Sequence, residues 1–167
     1  QFVRPLQDAT GVWFGGGWQS RILDTYRGTR VEKAVRAVFK NGGVVGGTSA
    51  GAAVMSAVTI LFGKSEAKVT EGFGFLPGTV VDQHFLVRHR QERLIGVLAE
   101  HPDLVGLGID ESTAIVFDGD RLCVLGDSGV MTCLGPCHGR PAVVRLHGSG
   151  DEIDLAGLGE ELAIRNR

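Results

Sequence analysis

Short apolar runs alternate with longer segments of helical spacing along this chain, and glycines punctuate most of the boundaries. Val12-Trp13-Phe14 reads as a short strand running into Gly15-Gly16-Gly17. A helix is expected from about Val31 to Lys40, stopped at Asn41-Gly42-Gly43, where glycine can adopt the left-handed conformation that closes a helix. Gly43-Val44-Val45-Gly46 follows as a short buried strand, and Ala50 to Ala57 (AGAAVMSA) as a tightly packed helix of small residues. A polar, glycine-containing loop from Gly63 to Gly74 leads to a strand from Thr79 to Asp82. Arg90 to Glu100 places Leu94, Ile95, Val97 and Leu98 at helical spacing, with His101-Pro102 as the stop and Leu104 to Ile109 as the next strand. From Thr113 the pattern changes to short β runs at 114–117, 122–125, 130–133 and 142–145, with Asp118-Gly119-Asp120 as the hairpin turn between the first two. The pattern predicts one α/β domain over residues 1–167, with a mostly parallel sheet in the first two-thirds and β-rich additions in the last third.

Composition narrows the partners. A hydrophobic content of 43% over 167 residues is enough for a sizeable core. The formal net charge of -2 gives no overall basic character, and no apolar run reaches bilayer length, so neither nucleic acid nor membrane is an expected partner. Cys123, Cys133 and Cys137 are odd in number and form no disulfide framework. Cys133, Cys137 and His138 lie close together without a second ligand pair at zinc spacing, and His84 and His89 lack the glutamate of a metalloprotease helix. No metal is expected.

The candidate chemistry centres on Gly47-Thr48-Ser49-Ala50-Gly51, a serine between two glycines where an apolar strand gives way to a small-residue helix. That is the sequence form of a nucleophile elbow. The Ala50 amide would open the helix and could donate to an oxyanion, where the helix dipole favours negative charge. In an open α/β sheet, ligands bind beyond the carboxyl ends of strands, and Gly15 to Gln19, Ser49 and Asp82 to His84 all fall at such ends. A serine hydroxyl needs a base to become nucleophilic, and His84, directly after a strand, is the best placed, with His89 in reserve. Spacing alone does not choose the carboxylate that would orient the imidazole among Glu66, Glu71, Asp82, Asp110 and Glu111.

FGGGWQ, GGTSAGAAVMS, GFGFLPGTVVDQHF and GLGIDESTAIVF, in that order, resemble the cyanophycinase branch of the serine peptidases that also include dipeptidase E. The resemblance covers about Val12 to Phe117 and implies a flavodoxin-like or class I glutamine-amidotransferase-like α/β fold whose first strand and helix are missing here. It implies that Ser49 is the nucleophile, His84 the base and Glu66 the third member, with Gly17 supplying the second oxyanion amide beside that of Ala50. Gln19, Asp82, Gln83, Arg88, Arg90, Arg93 and Ser112 match substrate-binding positions, Ser112 replacing a common Asn and Trp18 a usual polar residue. Three guanidinium groups at such a mouth suit an aspartate-rich substrate.

The implied activity is cleavage of aspartyl peptide links, most of all those of arginyl-polyaspartate (cyanophycin), releasing β-aspartyl-arginine dipeptides. It needs no cofactor and is expected from a cytoplasmic homodimer. The alternatives are an aspartyl or isoaspartyl dipeptidase of the dipeptidase E type and a non-catalytic protein that holds an acidic ligand on the same scaffold.

Overall fold

The computed structural model describes residues 3–64, 66–119 and 121–167. Strand β1 (Gly11–Phe14) leads through the glycine turn to helix α1 (Gln19–Tyr26), then α2 (Arg30–Lys40) and β2 (Val44–Gly47). Helix α2 forms where the sequence predicts it: the Thr29 hydroxyl accepts from the Val31 and Glu32 amides, Glu32 and Lys40 complement the helix dipole at the two ends, and Gly42 (φ 85) reverses the chain. Helix α1 is an addition to the expected elements. It buries only Leu23, too little for a clear apolar stripe in the sequence.

The helix expected from Ala50 to Ala57 is confined to α3 (Ala50–Ala53), and the chain continues as β3 (Ser56–Phe62). The Ser56 Oγ lies 2.7 Å from both the Ala53 and the Val58 carbonyl oxygens and can donate its one proton to either, just past the end of the helix. Val58, Thr59 and Ile60 are β-branched and suit a strand. Within the expected Gly63–Gly74 loop, β4 (Lys68–Glu71) pairs antiparallel with β3. Next come β5 (Leu76–Gln83), α4 (Gln91–Glu100), β6 (Val105–Ile109), β7 (Thr113–Asp118), β8 (Arg121–Gly126), β9 (Val130–Leu134) and β10 (Val143–His147). Asp120 of the expected β7–β8 turn lies outside the described residues. Beyond the predicted β runs come β11 (Glu152–Asp154) and α5 (Leu155–Arg165), where the Asp154 side chain caps the helix by accepting from the Gly157 amide.

The strands form a six-stranded sheet ordered β10-β9-β6-β5-β3-β4, a parallel pair β1-β2, and an antiparallel sheet β11-β8-β7. The parallel register expected of alternating strands and helices holds for β3, β5 and β6 at the centre of the large sheet and for β1 with β2; the remaining strands join antiparallel. Among the described residues no helix is long and apolar enough to cross a membrane.

Two apolar clusters set the site in place. Phe14, Leu23, Val35, Val54, Phe73 and Phe75 pack around β1 and α3, while Phe85, Val80, Leu94 and Leu98 pack between α4 and the large sheet. Phe85 follows His84 in sequence and is fully buried, lying over Gly108 of β6 where any Cβ would strike its ring. Its amide donates to the Ile109 carbonyl at 3.1 Å. Truncating this anchor, Phe85→Ala, is expected to cost about 3–5 kcal/mol in urea unfolding, the range for a buried phenylalanine; a loss below about 1 kcal/mol would contradict the packing described.

Candidate active site

Ser49 sits between β2 and α3 at φ 53 and ψ −111, a backbone conformation that L residues rarely adopt. Such a turn costs about 1–3 kcal/mol and persists only where its surroundings enforce it. Here the enforcement is steric: a Cβ on Gly47 would enter the backbone of Gly51, and one on Gly51 would enter the Phe14 carbonyl. The Thr48 amide donates to that same Phe14 carbonyl at 3.0 Å, and the Gly51 amide to the Thr48 carbonyl at 2.8 Å. Strand β1, strand β2 and helix α3 therefore close around the serine, with Ala50 completely buried. The glycine turn after β1 runs alongside, since a Cβ on Gly16 would lie 3.5 Å from that of Ser49. Gly17 has φ 124, which only glycine takes readily. Among the described residues, neither the Gly17 nor the Ala50 amide has a hydrogen-bond acceptor.

His84 leaves the end of β5, also at positive φ (52), and its Nε2 lies 2.9 Å from the Ser49 hydroxyl. Its Nδ1 lies 3.0 Å from Glu111 Oε1. An ionised carboxylate can only accept, so Nδ1 carries the proton and donates to Glu111, leaving Nε2 to accept from the serine hydroxyl. The histidine side chain is 26% exposed and the glutamate 53%, so the line opens to solvent at its glutamate end.

Glu111, not Glu66, is thus the carboxylate on the imidazole. Glu66 is exposed in the loop before β4, and among the described residues it makes no hydrogen bond to His84. The reason is topological: β4 pairs with the far side of β3, whereas β5 and β6 are adjacent and in register, Gln83 opposite Ile109. Residues just past those two ends therefore emerge side by side. Glu71 ends β4, with its carbonyl accepting from Arg27 at 2.8 Å.

Asp82 also differs from the expectation of a substrate contact. It is 1% exposed and accepts from Arg93 through Nε at 2.9 Å and through Nη2, and from Arg90 Nη1 at 3.1 Å. Arg93 spends its remaining terminal nitrogen on the Gly63 carbonyl at 3.0 Å, so its guanidinium faces inward. Arg90 donates further to the Gln83 carbonyl at 2.6 Å and side-chain oxygen at 2.9 Å. Burial lowers the Arg90 pKa from its ordinary value, while the charge of Asp82 pulls it back up. Arg88 is exposed, and among the described residues its guanidinium makes no hydrogen bond. Gln19 uses its amide nitrogen on the Ile60 carbonyl at 3.1 Å. Ser112 is exposed at φ 52, a conformation that the Asn it replaces in the resembled family tolerates better.

The sequence model of Peptidase family S51 matches residues 2–125. A cyanophycinase of Nostoc sp. is 40% identical over 145 residues, covering 81% of this chain and 48% of that protein. A cyanophycinase of Synechococcus elongatus is 39% identical over 145 residues, covering 81% of this chain and 45% of that protein. The chain spans about half the length of these relatives. The crystal structure of a peptidase from an acI-B1 actinobacterium superposes with a TM-score of 0.72 at 29% identity, covering 92% of this chain and 62% of that one.

The inward and outward arginines should separate in stability measurements. Arg93→Ala leaves the buried Asp82 carboxylate short of its main partner and is expected to cost about 3–5 kcal/mol, whereas Arg88→Ala should change unfolding free energy by less than about 0.5 kcal/mol. Equal losses in the two variants, read by chemical denaturation, would contradict the assignment of Arg93 to the fold.

Proposed function

The chain belongs to Peptidase family S51, and from that premise we propose that it is a serine peptidase that cleaves aspartyl peptide links, with cyanophycin as its substrate. The observation that carries the reading is the continuous hydrogen-bonded line from the strained Ser49 through His84 to Glu111. The names of the relatives, cyanophycinases at about 40% identity, supply the substrate class. In this reading His84 Nε2 takes the hydroxyl proton as Ser49 Oγ attacks the aspartyl carbonyl. Glu111 holds the imidazole in the Nδ1–H tautomer and stabilises the cation that forms. The Gly17 and Ala50 amides receive the developing oxyanion, a contribution of about 10²–10³ in rate for each good donor. His84 then returns its proton to the leaving amine, and a water deprotonated by the same histidine hydrolyses the ester to free acid and serine.

Of Arg88, Arg90 and Arg93, Arg88 is the one whose guanidinium makes no hydrogen bond among the described residues, so it is assigned the substrate carboxylate, with Arg90 at the inner edge of the same mouth. Gln19, Gln83 and Ser112 remain in the proposal as substrate-binding residues. Arg93 and Asp82 are assigned to holding the mouth together, not to touching substrate.

Steady-state release of aspartyl-arginine dipeptides from cyanophycin, set beside hydrolysis of α- and β-aspartyl dipeptides, tests the reading. Ser49→Ala is expected to lower kcat/KM by about 10⁴-fold or more, and Glu111→Gln by about 10²–10⁴-fold. Glu66→Gln should keep wild-type turnover. A reversed order for the two glutamates, or full activity in Ser49→Ala, would overturn the assignment, and turnover of small dipeptides without cyanophycin would overturn the substrate.

A further inference from the structure

One carboxylate at the site has no part in the mechanism above, although it touches both segments that bring His84 and Glu111 together. Asp110 follows β6 and directly precedes Glu111. Its Oδ1 accepts from two consecutive amides of the turn after His84, Leu86 at 3.0 Å and Val87 at 3.1 Å. Its Oδ2 accepts from the Ser128 hydroxyl at 2.7 Å, and its own amide donates to the Gly129 carbonyl at 3.2 Å. With both oxygens occupied and Glu111 on Nδ1, Asp110 is not the group that meets the imidazole.

We propose that Asp110 is a positioning residue that clamps the His84 turn to the Glu111 segment and so sets the imidazole between Ser49 and Glu111. The inference rests on the serine-peptidase reading for its kinetic consequence, though not for its geometry. His84 needs the clamp because it stands at positive φ (52) with a partly exposed ring. Phe85 fixes the base of the turn by burial, but a buried phenylalanine fixes position better than it fixes the direction of the preceding side chain. Hydrogen bonds from two backbone amides to one carboxylate oxygen hold the next two peptide planes and remove that freedom. Burial acts against the charge on Asp110, yet the hydrogen bonds from Ser128 and from the Val87, Glu111 and Leu86 amides outweigh it and hold the carboxyl below the ordinary range. The clamp is therefore charged wherever an ordinary carboxylate is charged, and weakens only as pH falls through its depressed folded value.

A misplacement of about 1 Å at such a site costs on the order of 10²-fold in rate. Asp110→Ala is expected to lower kcat on the cleaved peptide by about 10²-fold with KM changed by less than about threefold. Asp110→Asn is expected to recover to within about tenfold of wild type, because its amide oxygen still accepts from both backbone amides and its NH₂ can donate to Ser128. The imidazole nitrogen chemical shifts of His84 give a readout independent of turnover: Nδ1–H in the wild type and Asp110→Asn, a mixture of tautomers in Asp110→Ala. Should Asp110→Ala not fold, Ser128→Ala removes the Oδ2 partner alone and is expected to lower kcat by about tenfold at unchanged KM. Wild-type kcat and tautomer in folded Asp110→Ala, wild-type kcat in Ser128→Ala, or Asp110→Asn falling as far as Asp110→Ala would overturn the proposal. An inactive wild-type chain would instead defeat the peptidase reading, and the tautomer comparison would still decide the role of Asp110.

Discussion

The turn at Ser49 is the constraint around which the site is built. A serine at φ 53 and ψ −111 is unfavourable by itself, and the fold holds it there by removing every alternative. Strand β2 and helix α3 meet so closely that Gly47 and Gly51 touch where any side chain would intrude, and Gly51 in turn lies on the end of β1. The completely buried Val54, directly after α3, then ties the helix into the cluster of Phe14, Leu23 and Phe73. The strain of the turn, about 1–3 kcal/mol, is thus carried by apolar burial some residues away.

The same arrangement recurs across the hydroxyl. His84 is also held at positive φ, and it too is followed by a fully buried anchor, Phe85. Two strained residues, each fixed by the packing of its neighbour, face each other at 2.9 Å. The third partner arrives by sheet register instead of local strain. Parallel strands β5 and β6 end level with one another, so a residue just past β6 stands beside a residue just past β5. Charge is distributed accordingly: Asp82 is neutralised beneath the site by Arg93 and Arg90, while Glu111 stays partly in water on the imidazole.

What the sequence reveals of this site is what is encoded locally. Glycines two residues either side of Ser49, an apolar run before it and small residues after it specify the elbow without reference to anything distant, and His84 is marked by its place at a strand end. Helix α2 is readable for the same reason, through its Asn41-Gly42-Gly43 stop, while its Thr29 cap is seen in the structure. Glu111 is not chosen by sequence because its meeting with His84, 27 residues away, depends on which strands are neighbours. Arg88, Arg90 and Arg93 look alike along the chain, and only the burial of Asp82 separates the inward guanidinium from the exposed one. The helix predicted to run to Ala57 stops early because tertiary pairing of β3 with β4 and β5 outweighs the helical preference of alanine-rich sequence. Helix α5 is obscured by Gly157 and Gly159, which lower its local propensity although Leu158 and Leu162 are buried.

Strain and the approach of His84 together hold one hydroxyl in the arrangement of an activated nucleophile. The most direct test is reaction of the folded chain with a fluorophosphonate, followed by mass mapping of the adduct. The expected result is a stoichiometric adduct on Ser49 that is lost when the chain is unfolded before reaction. No adduct on the folded chain, an adduct on another serine, or equal labelling of the unfolded chain would contradict it.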